Sequence, residues 1–166
     1  MKVRYAEYED LKEIAKITMD CYMTTYAEIL PKEYLDSLDV DELIASYKID
    51  FDRLSFIVVT DDNDDIRGCA IFGDNRKPDK YPQYDCELYC IYVDPTRHFQ
   101  GYGKQLIGFA KSELRKQHKK KMLLWVFKDN LPAVAFYLRL KGEYVDEEIL
   151  SVSGKTVIES GYGYTL

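Results

Sequence analysis

Residues 89–106 read Y-C-I-Y-V-D-P-T-R-H-F-Q-G-Y-G-K-Q-L, and this stretch decides the fold. An apolar run ending at Val93 predicts a buried strand, and Pro95 marks a turn. Gly101 and Gly103 then stand directly before an amphipathic helix. That order sets backbone N–H groups, free of obstructing side chains, at the positive end of a helix. The junction can hold a phosphate-bearing ligand, or serve only as a tight strand-to-helix turn. Two nucleotide motifs fall away. A Rossmann fingerprint would need a third glycine where Leu106 stands, and no G-x-x-x-x-G-K-[ST] loop occurs.

The periodicity around this stretch predicts a mixed α/β chain. Residues 3–5 form a short strand, and Leu11, Ile14, Ala15, Ile17 and Cys21 mark a helix from Glu9 to about Tyr26. Pro31 opens a helical piece over 32–38, and 40–48 is another. Residues 55–60 and 66–72 are strands joined by D-D-N-D-D. Residues 75–83 form a Pro- and Lys-rich loop, the segment expected to be mobile. Residues 86–93 and 122–127 are apolar on both faces and belong in the middle of a sheet. Between them Leu106, Ile107, Ala110 and Leu114 make one helical stripe. Asn130 caps a helix reaching about Leu140, and strands over 144–151 and 156–166 close the chain as a hairpin. The order is β-α-α-α-β-β-β-α-β-α-β-β, one domain over residues 1–166.

Composition narrows the function. A net charge of −6 over 166 residues argues against a nucleic-acid partner and mildly favours a cationic substrate such as an amine. The basic cluster at 116–121 reads as a solvated helix end. Cys21, Cys69, Cys86 and Cys90 include no C-x-x-C pair, and with two histidines no metal site is expected. Reduced thiols, the absence of an apolar core in M-K-V-R-Y-A-E-Y-E-D and the lack of any membrane-length run predict a cytoplasmic protein with no membrane partner. The 15 tyrosines suit cleft walls or an interface. The tyrosine-rich end, residues 162–166, is read as either a homodimer interface strand or a plain edge.

A second motif comes after the second buried strand: Asn130, Ala133, Phe136, Tyr137 and Gly142. Together with His98-Phe-Gln-Gly101-Tyr-Gly103 it resembles the GNAT superfamily of acetyl-CoA-dependent N-acetyltransferases. Their signatures are [RQ]-x-x-G-x-[GA] at a strand–helix junction and a later N-x-x-A-x-x-F-Y-x-x-x-G. The likeness is specific over residues 85–142 and looser before them. It implies a mainly antiparallel sheet of about seven strands flanked by helices. The chain departs from the pattern at His98, where the family usually has Arg or Gln. An imidazole can donate a hydrogen bond but is fully charged only below a pKa of about 6.5. Cofactor binding is therefore expected to be kept and to be pH-sensitive, with Arg97 as the alternative cation.

The resemblance implies that acetyl-CoA lies on the amides of Gln100, Gly101, Tyr102, Gly103 and Lys104, with Phe99 beside it and its pantetheine arm along Ile91, Tyr92 and Val93. Asn130, Ala133 and Phe136 would complete that site, though Asn130 is explained equally by helix capping. Tyr137 is the implied general acid toward the leaving thiolate. Glu87 is the candidate base, because strand alternation sets it on one face with Tyr89, Ile91 and Val93, an apolar setting that raises a carboxylate's pKa. The plain alternative for Glu87 is a strand-end acid reaching solvent. Tyr22, Tyr26 and Glu28 are the candidate contacts for an amine. The expected reaction is acetyl transfer to a primary amine of a small molecule, a polyamine for example, by direct attack in a ternary complex. A peptide or protein amine is the alternative acceptor, and a CoA-sensing module without turnover the alternative class.

Overall fold

The computed structural model describes residues Met1–Leu166. Seven strands and five helices alternate in the expected order: β1 (Lys2–Tyr5), α1 (Leu11–Thr25), α2 (Lys32–Asp36), α3 (Val40–Asp50), β2 (Ser55–Thr60), β3 (Ile66–Asp74), β4 (Cys86–Val93), α4 (Tyr102–Lys116), β5 (Lys121–Phe127), α5 (Leu131–Arg139), β6 (Glu143–Val152) and β7 (Lys155–Thr165). The strands form one sheet in the order β1-β2-β3-β4-β5-β7-β6. Every neighbouring pair is antiparallel except β4 with β5. That mixed sheet, covered on both faces by helices, explains why the central strands read as continuous apolar runs. No helix is long and apolar enough to cross a membrane.

Two cores sandwich the sheet. On one face α4 lays Leu106, Ile107, Ala110 and Leu114 against Ile57, Val59, Ala70, Phe72 and Leu88. On the other, Leu11, Ile14 and Ala15 of α1 and Tyr47 of α3 cover Phe56, Val58, Cys69 and Ile71. Alternate residues of β2 and β3 thus go to opposite cores, as the pleat requires. Local signals start and stop the elements. Asp39 accepts from the amides of Asp41 (2.8 Å) and Glu42 (3.0 Å) to cap α3. Ser153 and Gly154, with φ of 46° and 81°, turn the β6–β7 hairpin with both central residues left-handed.

The structure corrects two expectations. Residues 162–166 are neither an edge nor an open interface: β7 lies between β5 and β6, with Tyr162 opposite both Leu124 and Tyr144. Tyr162 and Tyr164 are buried, and the free edges belong to β1 and β6. The loop over residues 75–83 is tied down rather than loose. Asn75 donates to the carbonyls of Tyr81 and Tyr84, both at 3.0 Å. The Tyr81 hydroxyl reaches Asp146 (2.9 Å) and Glu148 (3.2 Å), and Lys77 also pairs with Glu148.

The β4–β5 junction is the least regular part of the sheet. The two strands pair only over Cys86–Leu88 with Met122–Leu124, then separate. Asp85 fixes where that pairing starts, its carboxylate accepting from the amides of Lys120 (2.8 Å) and Lys121 (3.1 Å). Burial alone would push the Asp85 carboxyl up, but these backbone donors outweigh it and hold it below the usual range. A depressed folded pKa gives stability that is complete above the unfolded value of about 3.9 and is lost as the pH falls. Asp85→Ala should therefore lower the unfolding free energy by about 1 kcal/mol at pH 7. In urea titrations its deficit against the wild type should shrink as the pH drops below about 4.

Candidate active site

Beyond the point where β5 leaves β4, a cavity of about 840 Å³ opens beside β4, walled by the end of α1, the far half of β4, the start of α4 and α5. Backbone geometry supplies its polar groups. The Asp94 amide donates to the Arg67 carbonyl of β3 at 2.9 Å. Strand alternation therefore turns the N–H and C=O groups of Ile91 and Val93 away from β3, into the gap. The Val93 carbonyl there accepts from the Cys21 thiol (3.3 Å) and takes the His98 Nε2 (3.1 Å).

At the mouth the chain enters α4 through Gly101, whose φ of +93° is left-handed and has nothing within 4 Å of a notional Cβ. The first helical amide already engaged is that of Gln105, which donates to the Gly101 carbonyl at 3.1 Å. The amides of Tyr102, Gly103 and Lys104 precede it and are free, as at any helix start. They sit at the positive end of the α4 dipole, while Arg97, Lys104 and Arg139 add cations to the lining. The opposite wall is α5. Asn130 caps it, accepting from the Ala133 amide at 3.3 Å, so the capping role is the one its side chain performs. Phe136 lies across from Gly103, 3.3 Å from where a Cβ would stand.

Tyr137 projects into the cavity from α5, and its hydroxyl has no hydrogen-bond partner within the protein. Its main chain is held firmly: the Tyr137 carbonyl accepts from the Gly142 amide (2.9 Å) and the Tyr164 hydroxyl (3.0 Å). Gly142 has to be a glycine, because a Cβ there would meet the Tyr164 hydroxyl at 2.7 Å and the Tyr137 carbonyl at 3.0 Å. Burial, with smaller contributions from Tyr164 and Cys90, pushes the Tyr137 phenol well above its usual range. It therefore keeps its proton at neutral pH.

Most of the sequence-selected residues come together here. Ile91, Tyr92, Val93, His98, Phe99, Gly101, Tyr102, Gly103, Lys104, Asn130, Ala133, Phe136, Tyr137, Tyr26 and Glu28 all line the cavity. Gln100 and Tyr22 do not, although the Tyr22 ring contacts two lining residues, Tyr26 edge to face at 5.1 Å and Tyr92 at 6.1 Å. Cys21, Thr24 and Thr25 also line it and were missed, as was Arg139. The polar ones carry no motif, and only the helical stripe of α1, which ends at Cys21, pointed toward them.

Glu87 is placed differently from the expectation. The β3–β4 register moves from Ile71↔Cys90 to Phe72↔Leu88, leaving Tyr89 as a bulge. Leu88, Ile91 and Val93 consequently pack on the α4 side, whereas Tyr89, Cys90 and Tyr92 pack toward α1 and α3. Glu87 shares a face with Tyr89 but not with Ile91 or Val93. Its environment is ionic rather than apolar: the Arg76 guanidinium donates to Oε1 through Nε (3.0 Å) and Nη2, and the Arg76 amide donates to Oε2 (3.1 Å). Only 1% of Glu87 is exposed, so this carboxylate is bound to Arg76 rather than presented to the cavity.

The arrangement suits a long phosphate-bearing ligand with an amide-containing arm, the phosphates at the α4 amides and the arm along β4. Comparison with known proteins points the same way. The model of the acetyltransferase (GNAT) family matches residues 11–142. An uncharacterized N-acetyltransferase of Bacillus subtilis (strain 168), YuaI, is 35% identical over 162 residues, covering 98% of this chain and 91% of that protein. The fold is similar to a ribosomal-protein-alanine N-acetyltransferase from Brucella melitensis, with a TM-score of 0.78 at 16% identity and full coverage of both chains. It is also similar to yncA of Salmonella typhimurium, a putative acetyltransferase solved with its cofactor acetyl-CoA. That match has a TM-score of 0.75 at 21% identity, over 99% of this chain and 93% of the other.

The left-handed turn into α4 gives a direct test of the junction. Gly101→Ala should cost about 1–2 kcal/mol of stability from backbone strain alone, since its side chain meets nothing. Gly101→Asn should cost less, as asparagine tolerates that region better. Urea unfolding of both variants measures the difference.

Proposed function

This chain belongs to the acetyltransferase (GNAT) family, and on that premise we propose that it transfers an acetyl group from acetyl-CoA to a primary amine of a small molecule, by direct attack while both are bound. The observation that carries the reading is the opening where β4 leaves β5, with the outward-turned Ile91 groups and Val93 N–H on one wall and the free Tyr137 hydroxyl on the other. When bound, acetyl-CoA supplies an acetyl group activated as a thioester. The amides of Tyr102, Gly103 and Lys104 hold phosphate at the α4 start, with Arg97, His98 and Arg139 nearby. The outward-turned groups of Ile91 and Val93 orient the arm, and an N–H there is placed to polarise a carbonyl. Tyr137 holds, at its hydroxyl oxygen, the proton that the departing sulfur takes, and the proton that the attacking nitrogen sheds as the amide forms returns through solvent to the Tyr137 oxygen.

Direct transfer is favoured over an acyl-enzyme by the state of the available thiol. Cys21 lines the cavity, but burial pushes its pKa up to about 12 and its thiol is donated to Val93 O. A thiol so protonated is a poor nucleophile. Glu87, committed to Arg76, acts in this scheme as the anchor that positions Arg76 rather than as the base. The aromatic enclosure of Tyr22, Tyr26 and Phe127, in edge-to-face contact at 5.1 and 5.2 Å, favours a small cationic amine such as a polyamine over an extended peptide. The four free cysteines agree with a reducing cytoplasm.

Thiol release from acetyl-CoA, followed with a panel of small primary amines, tests the function. Amine-dependent release is expected; tight acetyl-CoA binding with no release for any amine would overturn it. Tyr137→Phe should lower kcat by about 10²-fold or more while leaving the KM for acetyl-CoA within twofold. Undiminished turnover in that variant would remove Tyr137 from the reaction.

A further inference from the structure

On the sheet face turned away from α4, beyond the point where β5 leaves β4, Trp125 and Phe127 form an aromatic floor. Glu159 of β7 stands directly opposite Phe127 on one side and Glu148 of β6 on the other. Side chains directly opposite in an antiparallel pair share a face, so Glu159 lies on this floor. It is half-buried, and it differs from every other carboxylate that is not solvent-exposed. Each of those has a hydrogen bond or an ion pair, as Glu87 has with Arg76, Glu147 with Lys128 and Glu148 with Lys77 and Lys80. Glu159 has neither. Its oxygens are not sealed away, because the only sealed side-chain polar atoms without partners are Thr60 Oγ1 and Trp125 Nε1.

The charges around it are already committed. Arg76 and Lys77 stabilise the Glu159 carboxylate from a distance but are paired with Glu87 and Glu148, and those two acids oppose its ionisation. Burial is the largest influence and moves the carboxyl above its usual range. The helical side contributes Tyr22, Tyr26 and Tyr34, in one apolar cluster with Phe127. Glu159 is close enough to Tyr22 for its charge to bear on that phenol. An aromatic wall connects this place to the cofactor cavity: Phe127 meets Tyr26 edge to face at 5.2 Å, Tyr26 meets Tyr22 edge to face at 5.1 Å, and Tyr22 lies tilted against Tyr92 at 6.1 Å. Tyr26 and Tyr92 are cavity residues.

We propose that Glu159 is the acceptor-binding carboxylate, receiving the non-reacting ammonium group of a di- or polyamine against the Tyr22–Tyr26–Phe127 wall, while the reacting nitrogen enters neutral. A half-buried carboxylate that the protein leaves unpaired binds a cation strongly, since it gains a charge-assisted hydrogen bond at a site where water is limited. The flanking ring faces attract the same charge. The inference rests on the acetyltransferase reading, and it names a residue that no sequence motif marks.

The test uses the amine that the wild-type enzyme acetylates best in the thiol-release panel. Glu159→Gln keeps the shape and removes the charge. It should raise the KM for the amine at least tenfold while leaving kcat and the KM for acetyl-CoA within about threefold. Glu159→Asp, which restores the charge on a shorter arm, should recover part of the loss. An amine KM within twofold of wild type in Glu159→Gln would overturn the proposal while acetyl transfer itself stood. So would a parallel rise in both KM values, the mark of a general structural defect. Absence of thiol release by the wild type with every amine would instead remove the acetyltransferase reading, and this proposal with it.

Discussion

The site exists because β4 and β5 stop pairing after Leu88. Each strand is held by its other neighbour: β4 follows β3 as far as Val93, and β5 follows β7 as far as Phe127. The bulge at Tyr89 twists β4 at the point of departure, which is where strand irregularities re-aim side chains. Unpaired backbone groups inside a protein are costly unless something satisfies them. Here they face a cavity rather than packed side chains, so a ligand with amide groups can complete what the missing strand contacts would have done.

The other walls are set by contacts of equal specificity. Asp85 anchors the start of the short stretch over which the strands pair before they separate. α5 is held over the gap by the Asn130 cap at its start and, at its end, by the close approach of Gly142 and Tyr164 to the Tyr137 carbonyl. That clamp fixes the backbone of Tyr137 while its hydroxyl stays unattached, a combination suited to a proton donor that must point in one direction. In the proposed scheme the α4 amides and α5 hold the cofactor, and Glu159 with the aromatic wall of α1 and β5 receives the amine.

Much of this was legible in the residues. The order of elements came from periodicity, and the paired glycines together with Asn130 through Gly142 located the cavity. What stayed hidden depended on pairings distant in sequence. Alternation alone put Glu87 with Ile91 and Val93, because a bulge is a property of two strands and leaves no mark in one. The loop over 75–83 looked free because its partners, Asp146 and Glu148, lie on β6. Residues 162–166 looked like an edge because β6, which precedes β7 in the chain, takes the outer position in the sheet. Glu159 is one more acid in a polar hairpin until the register sets it opposite Phe127 and the ion pairs around it are counted.

Amide hydrogen exchange of the protein with and without acetyl-CoA reads the β4–β5 gap itself. Strong added protection is predicted at Ile91, Val93, Tyr102, Gly103 and Lys104, with little change along the β6–β7 hairpin. Acetyl-CoA binding that left those amides unprotected, or protected a different surface, would contradict the placement of the cofactor between the parted strands.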